Sequence, residues 1–95
     1  MDDIEAAKQR FFEALAFLDA RDYRGAERCL RDAVNFAPRS ISILTNLSVA
    51  LMQQDKSEEA LAFAIRAVEL DPRNIEALLV MANCHARDLQ FASLT

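Results

Sequence analysis

The chain has 95 residues, enough for one domain that buries roughly two thirds of the surface its unfolded form exposes. Eleven basic against fifteen acidic residues give a net charge of −4, which excludes a basic footprint for nucleic acid or an anionic membrane. A hydrophobic fraction of 53% with one glycine and two prolines describes a globular chain with little material for hairpins or long loops, and points to an all-α fold.

In chain order, Ile4, Phe11, Phe12, Leu15 and Leu18 mark a first amphipathic helix that ends at the charged run Asp19 to Asp22. A second helix begins near Tyr23, carries Ala26, Cys29, Leu30, Ala33 and Val34 at three- and four-residue spacing, and stops at Pro38. A third holds Ile41, Leu44, Leu47, Ser48 and Leu51 on one face. Asp55 followed by Glu58 predicts a capping-box-like start for a fourth, which carries Ala60, Ala64, Ala67 and Val68. Asp71 with Pro72 predicts the opening of a fifth, with Ile75, Leu78, Leu79, Ala82 and Ala86 on one stripe. The remnant DLQFASLT is expected to begin a partial sixth.

These elements repeat. Pro38 and Pro72 stand 34 residues apart, and Ala16/Ala50, Ala26/Ala60, Ala33/Ala67, Val34/Val68 and Arg39/Arg73 recur at the same offset. A period of 34 that holds two helices is the signature of a helix-turn-helix solenoid. Alanine on the recurring rows, with Ala14/Ser48/Ala82, lets helix backbones approach closely.

On these residues the chain resembles the tetratricopeptide repeat family, whose 34-residue unit reads W-x2-L-G-x2-Y…A-x3-F…P. Residues 41–74 match without gaps, with Leu44, Leu47, Ser48 and Leu51 at the tryptophan, leucine, glycine and tyrosine places and with Ala60 and Pro72 in register. Residues 7–40 match through Ala14, Phe17, Ala26, Leu30, Ala33 and Pro38 but carry Arg10 and Glu13 where the family is apolar. Residues 75–95 match as a partial third unit through Leu78, Met81 and Ala82, with His85 at an aromatic place. The resemblance implies one domain over 1–95, a right-handed superhelix of about five helices plus the partial sixth, and a protein or peptide as partner. It transfers no catalytic residue, since the motif positions are structural.

At about 100° per residue, the side of each first helix opposite the structural rows carries Lys8, Phe12, Leu15 and Asp19, then Ser42, Asn46, Val49 and Gln53, then Glu76, Val80, Asn83 and Arg87. In the family this side resembles the inner, concave surface on which extended peptides or partner helices lie. The partner-binding candidates are therefore Lys8, Phe12, Leu15, Asn46, Val49, Gln53, Val80, Asn83 and Arg87. Two readings of Phe12, Leu15 and Val49 stand side by side: part of a binding face, or ordinary filling between stacked helices. Some relatives grip the terminal carboxylate of heat-shock chaperones with lysine, asparagine and arginine on these faces. By resemblance those places fall on Phe11, Leu15, Asn46, Glu76 and Val80. Only Asn46 carries a clamp residue, so chaperone-tail binding is not expected.

No nucleophile elbow, glycine-rich phosphate loop or metal-ligand cluster accompanies His85, the single histidine, or the cysteines Cys29 and Cys84. No catalytic residue, metal or cofactor is expected, and the two thiols are expected to act as small buried hydrophobes. The acidic start MDDIEAAKQR is unlike a secretory signal, no apolar run reaches bilayer length, and a cytoplasmic setting follows. The incomplete third unit raises two further readings. In one the chain is an amino-terminal repeat segment of a longer protein, such as a bacterial glycosyltransferase. In the other it is a homo-oligomeric assembly element that pairs through Leu78, Leu79, Met81, Phe91 and Leu94.

Overall fold

A computed structural model describes residues 2–94, with side chains through residue 87. Among these residues it holds five helices: α1 (Asp3–Asp19), α2 (Tyr23–Phe36), α3 (Ile41–Met52), α4 (Ser57–Leu70) and α5 (Ile75–Leu94). Links of three or four residues join them, short enough to make sequence neighbours antiparallel. Each helix packs on the next, and α3 also touches α5, so the elongated body of 50 × 28 × 18 Å is a row of helix pairs rather than a closed bundle. No helix among the described residues is long and apolar enough to cross a membrane.

The 34-residue period is visible in the backbone itself. Arg21 and Asp55, one repeat apart, are the two non-glycine residues with positive φ among the described residues, at 60° and 62°. Each ends an inner helix in the same way. The amides of Arg21 and Asp22 donate to the carbonyls of Leu18 and Phe17, and those of Asp55 and Lys56 to Met52 and Leu51, which is the paired closure that a left-handed residue after a helix produces. Asp22 then caps α2, its Oδ1 accepting from the Gly25 amide at 3.0 Å. Gly25 permits close approach of α1 and α2, because a Cβ there would stand 2.6 Å from Phe17 Cδ1.

Three local expectations are corrected. Asp55 does not open α4: the residue before that helix is Lys56, which makes no side-chain cap, because Asp55 is the left-handed residue that closes α3. Glu58 and Glu59 in the first turn of α4 instead offset its amino-terminal dipole. Asp71–Pro72 does not open α5 either. Asp71 ends α4, and Asn74 caps α5 by accepting from the Ala77 amide at 3.2 Å, as Ser40 caps α3 through the Ile43 amide. Finally, no partial sixth helix forms among the described residues, since α5 runs unbroken to Leu94. The sequence CHARDLQFASL contains no glycine, proline or β-branched residue to interrupt it, and Leu89 stands where the first two units place their left-handed residue.

The core follows the small and apolar rows. Ala26 and Ala60, Ala33 and Ala67, and Ala14 and Ser48 are all fully buried, and Leu30, Leu44, Leu47 and Leu51 fill the space between them. Cys29 and Cys84 are buried in the same cluster. Each buried leucine contributes about 1.5–3 kcal/mol relative to an exposed one, and three of the four sit on α3, the central helix.

A polar knot joins the two pairs on the outer side. Glu27 accepts from Arg31 Nε at 2.8 Å, Lys56 Nζ at 3.0 Å and Gln54 Nε2 at 2.9 Å, while Arg31 reaches on to Glu59 at 2.8 Å. Burial pushes the Glu27 carboxyl upward, but the bonds from Arg31, Lys56 and Gln54 outweigh it and hold its pKa at about 2. Arg31 and Arg66 also lie over the Phe63 ring, 5.9 and 5.4 Å from its centre.

Candidate functional site

The inner helices α1, α3 and α5 present one side that α2 and α4 do not cover. Phe12 is 65% exposed there, beside Phe11 at 6.3 Å between ring centres. Leu15 and Val49 are half-buried, and Lys8, Gln53 and Asn83 are exposed. Asn46 is half-buried and donates from Nδ2 to the Ser42 carbonyl at 2.8 Å.

Two of the expected partner-binding residues are placed differently. Val80 is not on the surface: it is 2% exposed and belongs to the core. With Ala77 and Cys84, also buried, it forms the three- and four-residue stripe through which α5 seats on the preceding pair. The row Phe12, Asn46, Val80 thus runs from open to half-buried to closed, since each of these positions faces the preceding unit and no helix precedes α1 among the described residues. Arg87 is tethered. Its Nη1 donates to the Met52 carbonyl at 3.0 Å and to Asp55 Oδ1 at 2.8 Å, a cation held at the carboxyl end of α3 where the helix dipole favours it.

Clefts lie between successive inner helices. The first, about 280 Å³, is bounded by α1, α3 and the turn between α2 and α3, and includes Lys8, Phe11 and Ser42. The second, about 390 Å³, is bounded by α3, α5 and the turn between α4 and α5, and includes Ser42, Asn46, Asp71 and Glu76. Asn74 braces the second by donating to Thr45 Oγ1 at 2.7 Å. Helical periodicity alone missed Phe11 and Thr45, each one residue before the projected Phe12 and Asn46, and Asp71 and Asn74, which belong to the turn between α4 and α5. The 34-residue offset, applied to the turns as well as the helices, is the signal that finds them.

On the expected self-association stripe, Leu78 and Leu79 are 42% and 58% exposed, and Ile75 beside them 70%. Met81 is partly buried against the core and is not part of that open stripe. The side chains of Phe91 and Leu94 lie outside the described residues.

No family model matches the chain. Over 57 residues it is 35% identical to the Protein STIP1 homolog of Dictyostelium discoideum, a match that covers 60% of the chain and spans about 10% of that relative's length. Among solved structures, the TPR2AB-domain:pHSP90 complex of yeast Sti1 superposes with a TM-score of 0.84 at 24% identity, covering 94% of this chain and 34% of that one. The TPR2B-domain:pHsp70 complex of yeast Sti1 superposes with a TM-score of 0.84 at 22% identity, covering 94% of this chain and 71% of that one. With five helices in this order, a left-handed residue repeated every 34 positions and superposition on two such domains, the chain has the tetratricopeptide-repeat fold.

Proposed function

We propose that the chain is a protein-interaction module whose concave side, formed by α1, α3 and α5, receives an extended segment of a partner protein. The observation that carries this reading is the apolar centre of that side, the half-buried Leu15 and Val49, bordered by the exposed Lys8, Gln53 and Asn83, the make-up of a small interface core and rim. The similar yeast domains are complexes with pHSP90 and pHsp70, which supports a peptide as the kind of ligand. It does not support the same anchoring: Glu76 and the buried Val80 occupy two of the places where relatives grip a terminal carboxylate, and a carboxylate next to Glu76 meets repulsion. An internal segment is the better fit.

Titrating the ¹⁵N-labelled chain with capped peptides of alternating apolar and polar residues tests the reading. The amides of Leu15, Val49 and Asn83 are expected to shift. Shifts confined to α2 and α4 refute it.

A second reading has one observation in its favour. Leu78 is open although its repeat equivalent Leu44 is fully buried, so the stripe Ile75, Leu78 and Leu79 offers a face for a second copy. Light scattering at high concentration distinguishes this: a dimer that Leu79→Lys dissociates supports it, and a monomer under all conditions removes it.

A further inference from the structure

The two clefts between inner helices are the same place in successive repeats. Ala7, Lys8, Phe11, Ala37, Ser40 and Ser42 line the first. Adding 34 to each gives Ile41, Ser42, Thr45, Asp71, Asn74 and Glu76, and all six line the second. The agreement extends to local structure, because Ser40 and Asn74 are the residues that cap α3 and α5.

Their chemistry differs. Phe11 becomes Thr45, Ala37 becomes Asp71, Ser42 becomes Glu76, and Lys8, the one cation of the first cleft, becomes Ser42. The first cleft is therefore an apolar slot with a positive rim. The second has two carboxylates and no cation. Asn74 and Thr45 are occupied with each other and with the α5 cap, and Asp71 Oδ1 accepts from the Arg73 amide at 3.1 Å, but neither Asp71 nor Glu76 forms an ion pair among the described residues. That contrasts with Asp55, Glu27 and Glu59, each of which is neutralised by an arginine or lysine.

We propose that these clefts read two side chains of one extended segment, the first taking an apolar residue and the second a lysine or arginine. The inference rests on the concave side being a binding face and adds the partner's sequence character. Packed helices lie about 8–10 Å apart, and a segment in the polyproline II conformation advances about 3.1 Å per residue and returns to the same side every three residues, so the two recognised residues stand about three positions apart. Lys8 at the rim of the first cleft repels a cation there and an acidic residue at the second meets Asp71 and Glu76. Together they set the direction of the segment and reject its charge-reversed counterpart.

The test uses the full 95-residue chain and fluorescein-labelled capped decapeptides of serine and glycine that carry one leucine and, three residues away, arginine, methionine or glutamate, in both orders. Anisotropy is expected to rank arginine above methionine above glutamate in one order of the pair, with about a fivefold or larger ratio of Kd between arginine and glutamate, a ratio that shrinks at high salt because exposed charges are screened. Replacing leucine by serine is expected to weaken binding to a similar extent. Glu76→Lys, on the exposed first turn of α5, is expected to invert the arginine and glutamate ranking. Glu76→Gln, which removes only the charge, is expected to narrow it. Equal affinity for all three peptides, or a ranking that Glu76→Lys leaves unchanged, overturns this inference while leaving the concave binding face standing. No binding by any peptide, with no concave amide shifts, overturns both.

Discussion

α3 and α5 carry the same register of residues and have opposite fates. Leu44, Ser48 and Leu51 on α3 are fully buried, while their equivalents Leu78, Ala82 and His85 on α5 are all exposed. The residue types alone do not explain this, since Leu44 and Leu78 are identical. What differs is the neighbourhood: α3 has α2 on one side and α4 on the other, whereas no second helix of a third pair covers α5 among the described residues. In a solenoid, burial is a property of the nearest neighbours.

The sharpest way to break this comparison is to truncate the paired leucines. Leu44→Ala is expected to lower the unfolding free energy by about 3 kcal/mol, within the usual span for a fully enclosed leucine. Leu78→Ala is expected to cost less than about 1 kcal/mol, the range of a surface change. Urea denaturation reads both, and similar losses contradict the neighbour account.

The joints on either side of α3–α4 differ as well. The outer joint to α2 is ionic, through Glu27, whose repeat equivalent is Leu61. Its folded pKa of about 2 lies below the ordinary 4.5. The stabilisation is therefore complete above pH 4.5 and is lost as pH falls from 4.5 toward 2. After screening by solvent it amounts to about 1 kcal/mol. The midpoint of urea unfolding is expected to drop over that window, and Glu27→Gln is expected to flatten the drop. An unchanged profile in the variant assigns the acid sensitivity elsewhere.

The joint to α5 combines the Arg87–Asp55 ion pair with neutral bonds from Asn74. Asn74→Ala removes the α5 cap and the Thr45 contact together and is expected to cost about 1 kcal/mol, with faster hydrogen exchange at Ala77. Ser40→Ala is expected to cost less, because its 3.4 Å bond is longer. The smallest effect concerns the two left-handed residues. Arg21→Gly is expected to raise stability by about 0.5 kcal/mol by relieving the positive φ. Asp55→Gly is expected to show little net gain, because Arg87 loses its carboxylate partner and keeps only the Met52 carbonyl. Thermal melts decide whether the two substitutions differ in that direction.

The repeat was legible because it depends on spacing: the rows Ala26/Ala60 and Ala33/Ala67 needed only a period and a steric rule. Val80 was not legible, because its burial depends on how α5 sits against the previous pair and not on the side of its own helix. The caps failed for a related reason. Asp55 and Asp71 are good capping residues, yet the Schellman-type closure took the first and the end of α4 took the second, leaving the α5 cap to Asn74. The clefts combine helix and turn residues that no single-helix projection brings together.

The concave side as a binding face is tested most directly by one pair of variants. Val49→Glu places a charge at the half-buried centre of that side, and Ile65→Glu places the same charge on α4 at a residue partly open to solvent. Measured by anisotropy with the leucine–arginine peptide on folded protein, Val49→Glu is expected to weaken binding at least tenfold and Ile65→Glu to leave it within twofold. Equal losses, or a loss confined to Ile65→Glu, contradict the account.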